Sequence, residues 1–124
     1  DQSGSVSDED ISLLFGELNN LGRMMQFTLI PFDSSVDTDN EVAWRRGQKL
    51  PPRRWRTGGT NFDAVAKHAE ENAHRFDGYI VLTDGECSDP GPSRMRRAWV
   101  IVPDRKLYFT PHPKDVVINM KRPV

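Results

Sequence analysis

The sequence predicts a layered α/β fold in which a mainly parallel central sheet is flanked by helices in a three-layer arrangement. Two segments carry apolar residues at helical spacing, and short continuous apolar runs stand between and after them. Apolar runs too short to form a helix are typical of strands that are covered on both faces of a parallel sheet. Strands that alternate with helices in this way favour a layered α/β fold.

The first helix is predicted from about Asp8 to Leu21, with its end at Gly22. Ser7 supplies an N-cap, and the acidic residues after it place negative charge at the positive end of the helix dipole. The apolar residues that recur at helical spacing are Ile11, Leu14, Phe15, Leu18 and Leu21.

A strand is predicted over Phe27 to Phe32, where apolar and β-favouring residues are dense. Pro31 cannot donate a hydrogen bond to a sheet, so we expect it at the strand's end, at a bulge or on an edge. The polar, basic stretch 36–56 is predicted to hold a short hairpin around Val42 to Trp44 and Lys49.

A second helix is predicted to open at Thr60, immediately after two glycines. Thr60 and Asp63 have the spacing of a capping box. One apolar stripe follows, formed by Phe62, Val65, Ala66, Ala69 and Ala73.

The later apolar runs predict three more strands. Tyr79 to Thr83 is expected to be the central strand of the sheet, and the runs Ala98 to Val102 and Val116 to Ile118 are expected to follow it. Their order along the chain, after each predicted helix, is the pattern of a parallel sheet.

Composition limits the classes of function. The 124 residues fit a single domain over 1–124, and the formal net charge of -1 gives no overall attraction to nucleic acid or to an acidic membrane. The single cysteine, Cys87, excludes an internal disulfide and favours a reducing, cytoplasmic compartment. No apolar run approaches the length of a membrane span, so no membrane is expected as a partner.

Three short motifs rich in oxygen ligands lie next to predicted elements. Asp1-Gln2-Ser3-Gly4-Ser5 precedes the first helix, Gly58-Gly59-Thr60 precedes the second, and Thr83-Asp84-Gly85 follows a buried strand. Ligands of open α/β sheets bind beyond the carboxyl ends of the strands, where these motifs can meet. Carboxylates and hydroxyls without histidine or thiolate suit a hard cation such as Mg²⁺ or Mn²⁺. The predicted metal ligands are Asp1, Ser3, Ser5, Thr60 and Asp84.

This set of motifs resembles the metal-ion-dependent adhesion site of von Willebrand factor A (VWA) domains, a family that includes the integrin inserted domains. The stretches DQSGSVS, GGTNFDAV, VLTDGE and WVIVP are most similar to the VWA-like domain at the carboxyl end of bacterial and phage proteins whose amino-terminal part looks like a metallopeptidase. The resemblance implies a Rossmann-like VWA fold. It also implies that the Ser3 and Ser5 hydroxyls bind the metal directly, whereas Thr60, Asp1 and Asp84 hold it directly or through water.

The resemblance implies a function as well. One coordination position is left for an Asp or Glu of a partner, so we expect a metal-dependent protein-interaction module without catalytic activity, binding another protein or other domains of the same polypeptide. VWA domains have an apolar first strand immediately before the first Asp of the motif, and the sequence given has none before Asp1. We therefore expect that the polypeptide continues upstream and that the chain is a fragment.

Several residues have simpler interpretations. Thr60 alone could be a helix cap, Asp84-Gly85 could be a hairpin turn, and Asp33 and Glu86 are expected to be solvated loop carboxylates. Cys87 is expected to be a partly buried thiol, and the three histidines are expected at the surface.

Two other functions compete with the interaction module. Arginines interleaved with Trp44, Trp55 and Trp99 could bind a nucleic-acid backbone, although solvated loops facing another domain are favoured. These arginines are Arg45, Arg46, Arg53, Arg54, Arg56, Arg94, Arg96 and Arg97. A phosphotransferase of the haloacid dehalogenase type would need a second Asp where this chain has Ser3. Any peptidase activity is assigned to a separate domain, which leaves this one non-catalytic.

Overall fold

The structure, a computed structural model, describes residues 1–122, and these residues form two α-helices and five β-strands. A short 3₁₀ turn, Thr38–Asn40, precedes the second strand. In chain order the elements are α1 (Asp8–Gly22), β1 (Phe27–Leu29), β2 (Val42–Trp44), α2 (Phe62–Glu71), β3 (Gly78–Thr83), β4 (Arg96–Ile101) and β5 (Val116–Asn119).

The strands form two sheets. Strands β3, β4 and β5 lie side by side in that order and are all parallel, whereas β1 and β2 form an antiparallel pair. In the parallel sheet Tyr79 lies opposite Arg97, and Trp99 lies opposite Val117. The predicted α/β fold, with a mainly parallel sheet flanked by helices, is confirmed, and it fits a Rossmann-like VWA fold.

The two helices cover opposite faces, which gives three layers. Around α1, a core cluster consists of Val6, Ile11, Leu14, Phe15, Leu18, Trp44 and Val102. Around α2, a second cluster consists of Phe32, Phe62, Val81, Trp99, Ile101 and Leu107. Burial of these apolar side chains is the main term that stabilises the layers.

Helix α1 follows the sequence prediction closely. The Ser7 side chain accepts a hydrogen bond from the backbone N–H of Asp10, so Ser7 is the N-cap. The apolar positions Ile11, Leu14 and Leu18 are buried as the helical spacing predicts.

The N-cap of helix α2 lies one residue later than predicted. Asn61, and not Thr60, is its N-cap, because the Asn61 Oδ1 accepts hydrogen bonds from the backbone N–H groups of Asp63 and Ala64, at 3.0 and 3.3 Å. The helix ends at Glu71, so the predicted stripe residue Ala73 lies outside it. The interpretation of Thr60 as a helix cap is therefore wrong.

The region around β1 and β2 differs from the prediction in two ways. Strand β1 ends at Leu29, which leaves Pro31 outside the strand, as its missing N–H requires. Strand β2 pairs with β1, and Phe27 lies opposite Trp44, whereas Lys49 belongs to no strand. The predicted hairpin partner near Lys49 was wrong because the apolar run of β1 provides a better-packed neighbour.

The prediction that β3 is the central strand is wrong. Strand β3 lies at the edge of the parallel sheet, and β4 is the strand with a neighbour on each side. Ile80 in the middle of β3 is 44% exposed, so this strand is not covered on both faces throughout. Pattern alone cannot decide strand order, because order depends on contacts between distant segments.

An open apolar groove separates the two sheets. Its volume is about 1220 Å³, and it is bordered by β1 on one side and β3 on the other, with apolar residues of α1 and α2 beneath. Residues 1 and 2 bridge its end: the α-amino group of Asp1 donates to the carbonyl of Leu82 at 2.8 Å, and the N–H of Gln2 donates to the carbonyl of Phe32 at 2.7 Å. Across residues 1–122, neither helix combines the length and apolar character that crossing a membrane requires.

Candidate metal site

The first motif folds into a compact loop ahead of α1. The Asp1 Oδ1 accepts hydrogen bonds from the backbone N–H of Ser3 at 2.9 Å and from its hydroxyl at 2.6 Å. The Ser3 and Ser5 hydroxyl oxygens lie 3.2 Å apart. Ser3 is fully buried and Ser5 is exposed, so the loop leads from the interior to the surface.

Asp1 also joins this loop to the end of β3. Its Oδ2 accepts a hydrogen bond from the Thr83 hydroxyl at 2.5 Å, and the Thr83 Oγ1 in turn accepts from the backbone N–H of Gly85 at 3.0 Å. Both carboxylate oxygens of Asp1 are therefore occupied by protein donors, and the motif that follows β3 is fixed against the first loop.

Asp84 has an unusual environment. It is 1% exposed, and its Oδ1 accepts a hydrogen bond from the backbone N–H of Glu86 at 3.0 Å. Its Oδ2 is buried and has no hydrogen-bond partner within residues 1–122. An unpartnered buried carboxylate oxygen is costly, because transfer from water removes hydration that nothing replaces. A cation at this oxygen would supply the missing partner.

The glycine after Asp84 is required by the backbone. Gly85 has a φ of +80°, and a Cβ at this position would overlap the carbonyl oxygen of Lys106. Only glycine adopts this conformation freely and leaves that space. The Asp84-Gly85 pair therefore forms a tight loop after a parallel strand, and its interpretation as a hairpin turn is wrong.

Thr60 is connected to both other motifs through its loop. The N–H of Gly4 donates to the carbonyl of Gly58 at 2.9 Å, and the Cys87 thiol lies 3.5 Å from the carbonyl oxygen of Thr60. Cys87 is half-buried, as the sequence predicted. Because Asn61 is the cap of α2, the Thr60 hydroxyl has no part in capping. All three motifs thus come together at the carboxyl end of β3.

The donor set here is dominated by neutral oxygens. Among residues 1–122 no group of three or more His, Cys, Asp and Glu side chains is arranged to hold a metal ion. The converging motifs offer two carboxylates and three hydroxyls, which fit Mg²⁺ or Mn²⁺ better than zinc or copper. The three hydroxyls would make up most of the protein ligands of such a cation.

Sequence reasoning missed the role of Asp33. It was expected to be a solvated loop carboxylate, but it is 4% exposed. Its Oδ2 accepts from the N–H of Gly58 at 3.0 Å, and its Oδ1 accepts from the Arg56 Nε at 2.6 Å. Its backbone carbonyl accepts from the N–H of Asn61 at 3.0 Å. Asp33 therefore holds the loop on both sides of Thr60, and only its position at the end of a predicted strand could have suggested this.

The ionisation of Asp33 is linked to folding. Burial alone would raise its pKa, but hydrogen bonds from Arg56 and from the backbone N–H groups of Ser35 and Gly58 outweigh burial, so the pKa lies below the ordinary value of 3.8. A carboxyl with a lowered pKa in the folded state stabilises the fold above its unfolded pKa. That contribution is lost as the pH falls through the lower, folded value.

Asp33→Asn is expected to lower the free energy of unfolding at pH 7 by about 2 kcal/mol, because a buried charge-assisted bond to Arg56 is lost. The difference from the wild type should shrink as the pH falls below about 4, where the Asp33 carboxyl of the unfolded chain begins to be protonated, and should vanish below the lower pKa of the folded state. Urea unfolding at pH 7 and pH 3 measures both values. Asp39→Asn, at an exposed carboxyl of the 3₁₀ turn, is the control and should change little at either pH. An Asp33→Asn difference that is equal at both pH values would contradict this linkage.

The two arginine clusters are not continuous exposed surfaces. Arg97 is 3% exposed and is paired with Asp115 at 2.7 Å, and Arg54 and Arg56 make internal contacts with the site loops. Trp44 and Trp99 are each 1% exposed and belong to the core. Trp44 and Trp99 are therefore not available to stack on the bases of a nucleic acid. The arginines that remain exposed are Arg45, Arg46, Arg53, Arg94 and Arg96.

Comparison with known proteins gives a family for this chain. No curated protein and no solved structure matches the chain. Residues 1–120 match the family described as a VWA-like domain (DUF2201). Nearly the whole chain is covered by that match, including the loops that carry Ser3, Thr60 and Asp84. The chain therefore belongs to this family of VWA-like domains.

Proposed function

We propose that this domain is a divalent-cation-dependent protein-interaction module that binds a carboxylate of its partner. The observation that carries the proposal is the buried Oδ2 of Asp84, which has no hydrogen-bond partner within the described residues and lies where three oxygen-rich loops meet. Mg²⁺ or Mn²⁺ held there would offer an open coordination position to an Asp or Glu of the partner.

The proposed ligands have different roles. Asp1 uses both carboxylate oxygens as acceptors from Ser3 and Thr83, so it orients the Ser3 hydroxyl and contributes negative charge. Asp84 has a free oxygen and contributes it directly or through water. Ser3, Ser5 and Thr60 supply hydroxyl oxygens. Two carboxylates balance the charge of a dication. A site with no excess negative charge is expected to bind the cation with modest affinity.

The partner is proposed to approach over Ser5. The exposure of Ser5, beside the buried Ser3, supports an opening of the site on this side of the loop. Exposed Arg53, on the segment that contacts Gln2, adds positive charge that would complement an acidic partner surface. Another protein or another domain of the same polypeptide can supply such a surface, and the lone thiol Cys87 favours a cytoplasmic setting.

Binding is favoured over catalysis. A nucleophilic serine needs an adjacent base, and the Ser3 and Ser5 hydroxyls have only Asp1 and each other as side-chain partners within the described residues. A nucleic-acid-binding role is less favoured, because Arg54, Arg56 and Arg97 are engaged internally and cannot contact phosphate without breaking those contacts.

The proposal predicts a metal-dependent melting temperature. At a concentration of 100 times its dissociation constant, Mg²⁺ or Mn²⁺ should stabilise the folded state by about 2.7 kcal/mol relative to chelator. Sodium acetate, as a probe carboxylate, should raise the midpoint further only when the cation is present, with sodium chloride as the ionic-strength control. Differential scanning fluorimetry measures these shifts. Identical midpoints with Mg²⁺, Mn²⁺ and chelator would overturn the proposal.

Once a metal-dependent partner is isolated, its acidic residues at the contact provide a direct test. Replacing the Asp or Glu that completes the coordination shell by Asn or Gln should abolish binding in Mg²⁺, because a neutral amide is a much weaker ligand for a hard cation. Surface plasmon resonance with and without chelator reports the loss. Wild-type affinity in every such variant would show that no partner carboxylate is needed.

A further inference from the structure

Arg54 contacts the loop 2–6, which carries Ser3 and Ser5, along its length. Its Nη1 donates to the carbonyls of Gln2 at 2.9 Å and Ser3 at 3.2 Å, and its Nη2 donates to the carbonyl of Val6. Its Nε donates to the Asp8 Oδ1 at 3.1 Å. The Arg54 side chain is 20% exposed, whereas that of Asp8 is 95% exposed.

These contacts fix the direction of the loop's peptide groups. Peptide units are planar, so turning the carbonyls of Gln2 and Ser3 toward one guanidinium determines where the following N–H groups point. The N–H of Ser3 then donates to the Asp1 Oδ1, and the N–H of Gly4 donates to the carbonyl of Gly58. The Ser3 and Ser5 hydroxyls lie close together in the same loop.

The Gln2 side chain also joins the loop 2–6 to the segment that carries Arg54. Its side-chain Oε1 accepts from the N–H of Trp55 at 2.6 Å, and its Nε2 donates to the carbonyl of Arg53 at 3.0 Å. The segment 53–58 and the loop 2–6 are therefore joined by a continuous set of hydrogen bonds. Only a group with several donors in a fixed fork can bridge successive carbonyls in this way, which distinguishes arginine from lysine.

We propose that Arg54 is a positioning residue for the cation site: its guanidinium holds the loop 2–6 so that the Ser3 and Ser5 hydroxyls are preorganised as ligands. This inference rests on the proposed function. Residues that orient metal ligands commonly contribute 10- to 100-fold to metal affinity. No direct contact between Arg54 and the cation is required.

The charge of Arg54 allows a decisive test. Its guanidinium contacts the carbonyls of Gln2 and Ser3, so its positive charge lies beside the proposed ligands, and a positive charge near a cation site weakens cation binding. Removing the charge alone would therefore tighten Mg²⁺ binding. Removing the positioning contacts would weaken it. The two effects have opposite signs, so the direction of the change identifies the role.

The experiment measures the Mg²⁺ dissociation constant by calorimetry for the wild type, Arg54→Gln, Arg54→Lys and Arg46→Gln. Both Arg54 variants are expected to bind Mg²⁺ at least 10-fold more weakly. Arg46→Gln removes an equal charge from an exposed side chain on the turn after β2 and should stay within about twofold of the wild type. Far-UV circular dichroism and the melting temperature in chelator report on the fold of each variant.

A rescue experiment separates positioning from general instability. Arg54→Ala in the presence of low-millimolar methylguanidinium should regain part of its Mg²⁺ affinity, whereas methylammonium, which lacks the fork, should not restore it. Asp8→Asn, which removes the charged partner of the Arg54 Nε at an exposed position, should lower Mg²⁺ affinity by a few-fold while the protein stays folded.

The outcomes are distinguishable. Wild-type protein that binds no Mg²⁺ overturns the proposed function itself. Wild-type protein that binds Mg²⁺, together with a folded Arg54→Gln variant that binds it equally or more tightly, overturns the role of Arg54 alone. If the Arg54 variants do not fold, unchanged Mg²⁺ affinity in Asp8→Asn overturns the positioning role, and a few-fold loss supports it.

Discussion

An apolar strand added before Asp1 is expected to stabilise the domain by about 3 kcal/mol. The groove between β1 and β3 has an apolar lining, and Asp1 and Gln2 already donate to Leu82 on one side and to Phe32 on the other. A segment that continues backward from Asp1 would therefore enter the groove in the register of a strand parallel to β3. It would join the two sheets into one.

The magnitude follows from burial and ordering. Five valine or isoleucine side chains buried between the helices contribute roughly 10 kcal/mol at about 2 kcal/mol each. Ordering five residues opposes this by roughly 7 kcal/mol. The additional inter-strand hydrogen bonds satisfy exposed edge groups of β3, and Ile80, now 44% exposed, would become buried.

The test adds five alternating valines and isoleucines before Asp1. Urea unfolding and thermal melting then measure the gain in stability. A Gly-Ser extension of equal length is the control, because it can occupy the groove without burying apolar side chains. A second control places a proline in the middle of the apolar extension, where its missing N–H breaks the ladder. Equal stability of the apolar and Gly-Ser versions would contradict the assignment of the groove as a strand position.

Asp84→Ala is expected to remove the stabilisation by Mg²⁺ and Mn²⁺. In the wild type a saturating cation should raise the melting temperature by roughly 10 °C, which corresponds to about 2.7 kcal/mol in a domain of this size. Without the Asp84 carboxylate, the remaining hydroxyls and Asp1 leave too little negative charge to hold a dication.

The cation-free protein should respond differently to the same change. Asp84 loses one hydrogen bond to Glu86 when it is replaced, but the unpartnered Oδ2 disappears as well. These effects oppose each other, so the melting temperature in chelator should change little. The substitution thus separates metal binding from folding.

Two control variants sharpen the test. Asp77→Ala removes an exposed carboxylate that precedes β3, at the opposite end of the strand that Asp84 follows. Ser12→Ala removes an exposed hydroxyl of α1 that donates to the carbonyl of Asp8 at 3.2 Å. Both should retain the full response to Mg²⁺. A full response in Asp84→Ala would assign the cation to other residues.

Local patterns predicted most of the helices and strands. The helical spacing of Ile11, Leu14 and Leu18 predicted α1, and the strand of Tyr79 to Thr83 was recognised by its short apolar run. Helix α2 was displaced by one residue because Asn61 and Thr60 are both good N-cap residues, and only the backbone geometry distinguishes them.

The meeting of the three motifs was predicted for a physical reason. Carboxyl ends of parallel strands and the loops before the helices meet on one edge of an α/β sheet, so oxygen-rich motifs in those loops are brought together. The hydrogen bonds from Ser3 to Asp1 and from Thr83 to Asp1 agree with that expectation. The class of cation, Mg²⁺ or Mn²⁺, stays a prediction from hydroxyl and carboxylate chemistry, which is readable from the residue types.

The sequence by itself thus determined the α/β class, the helical faces and the grouping of the three motifs, because these follow from spacing and residue type. Only the tertiary structure decided that β3 lies at a sheet edge, that β2 pairs with β1, and that the Asp84 Oδ2 has no hydrogen-bond partner within residues 1–122. It also brought Arg54 to the carbonyl of Gln2, across 52 residues of chain. Contacts over such separations depend on how all the elements pack together, and no local pattern encodes them.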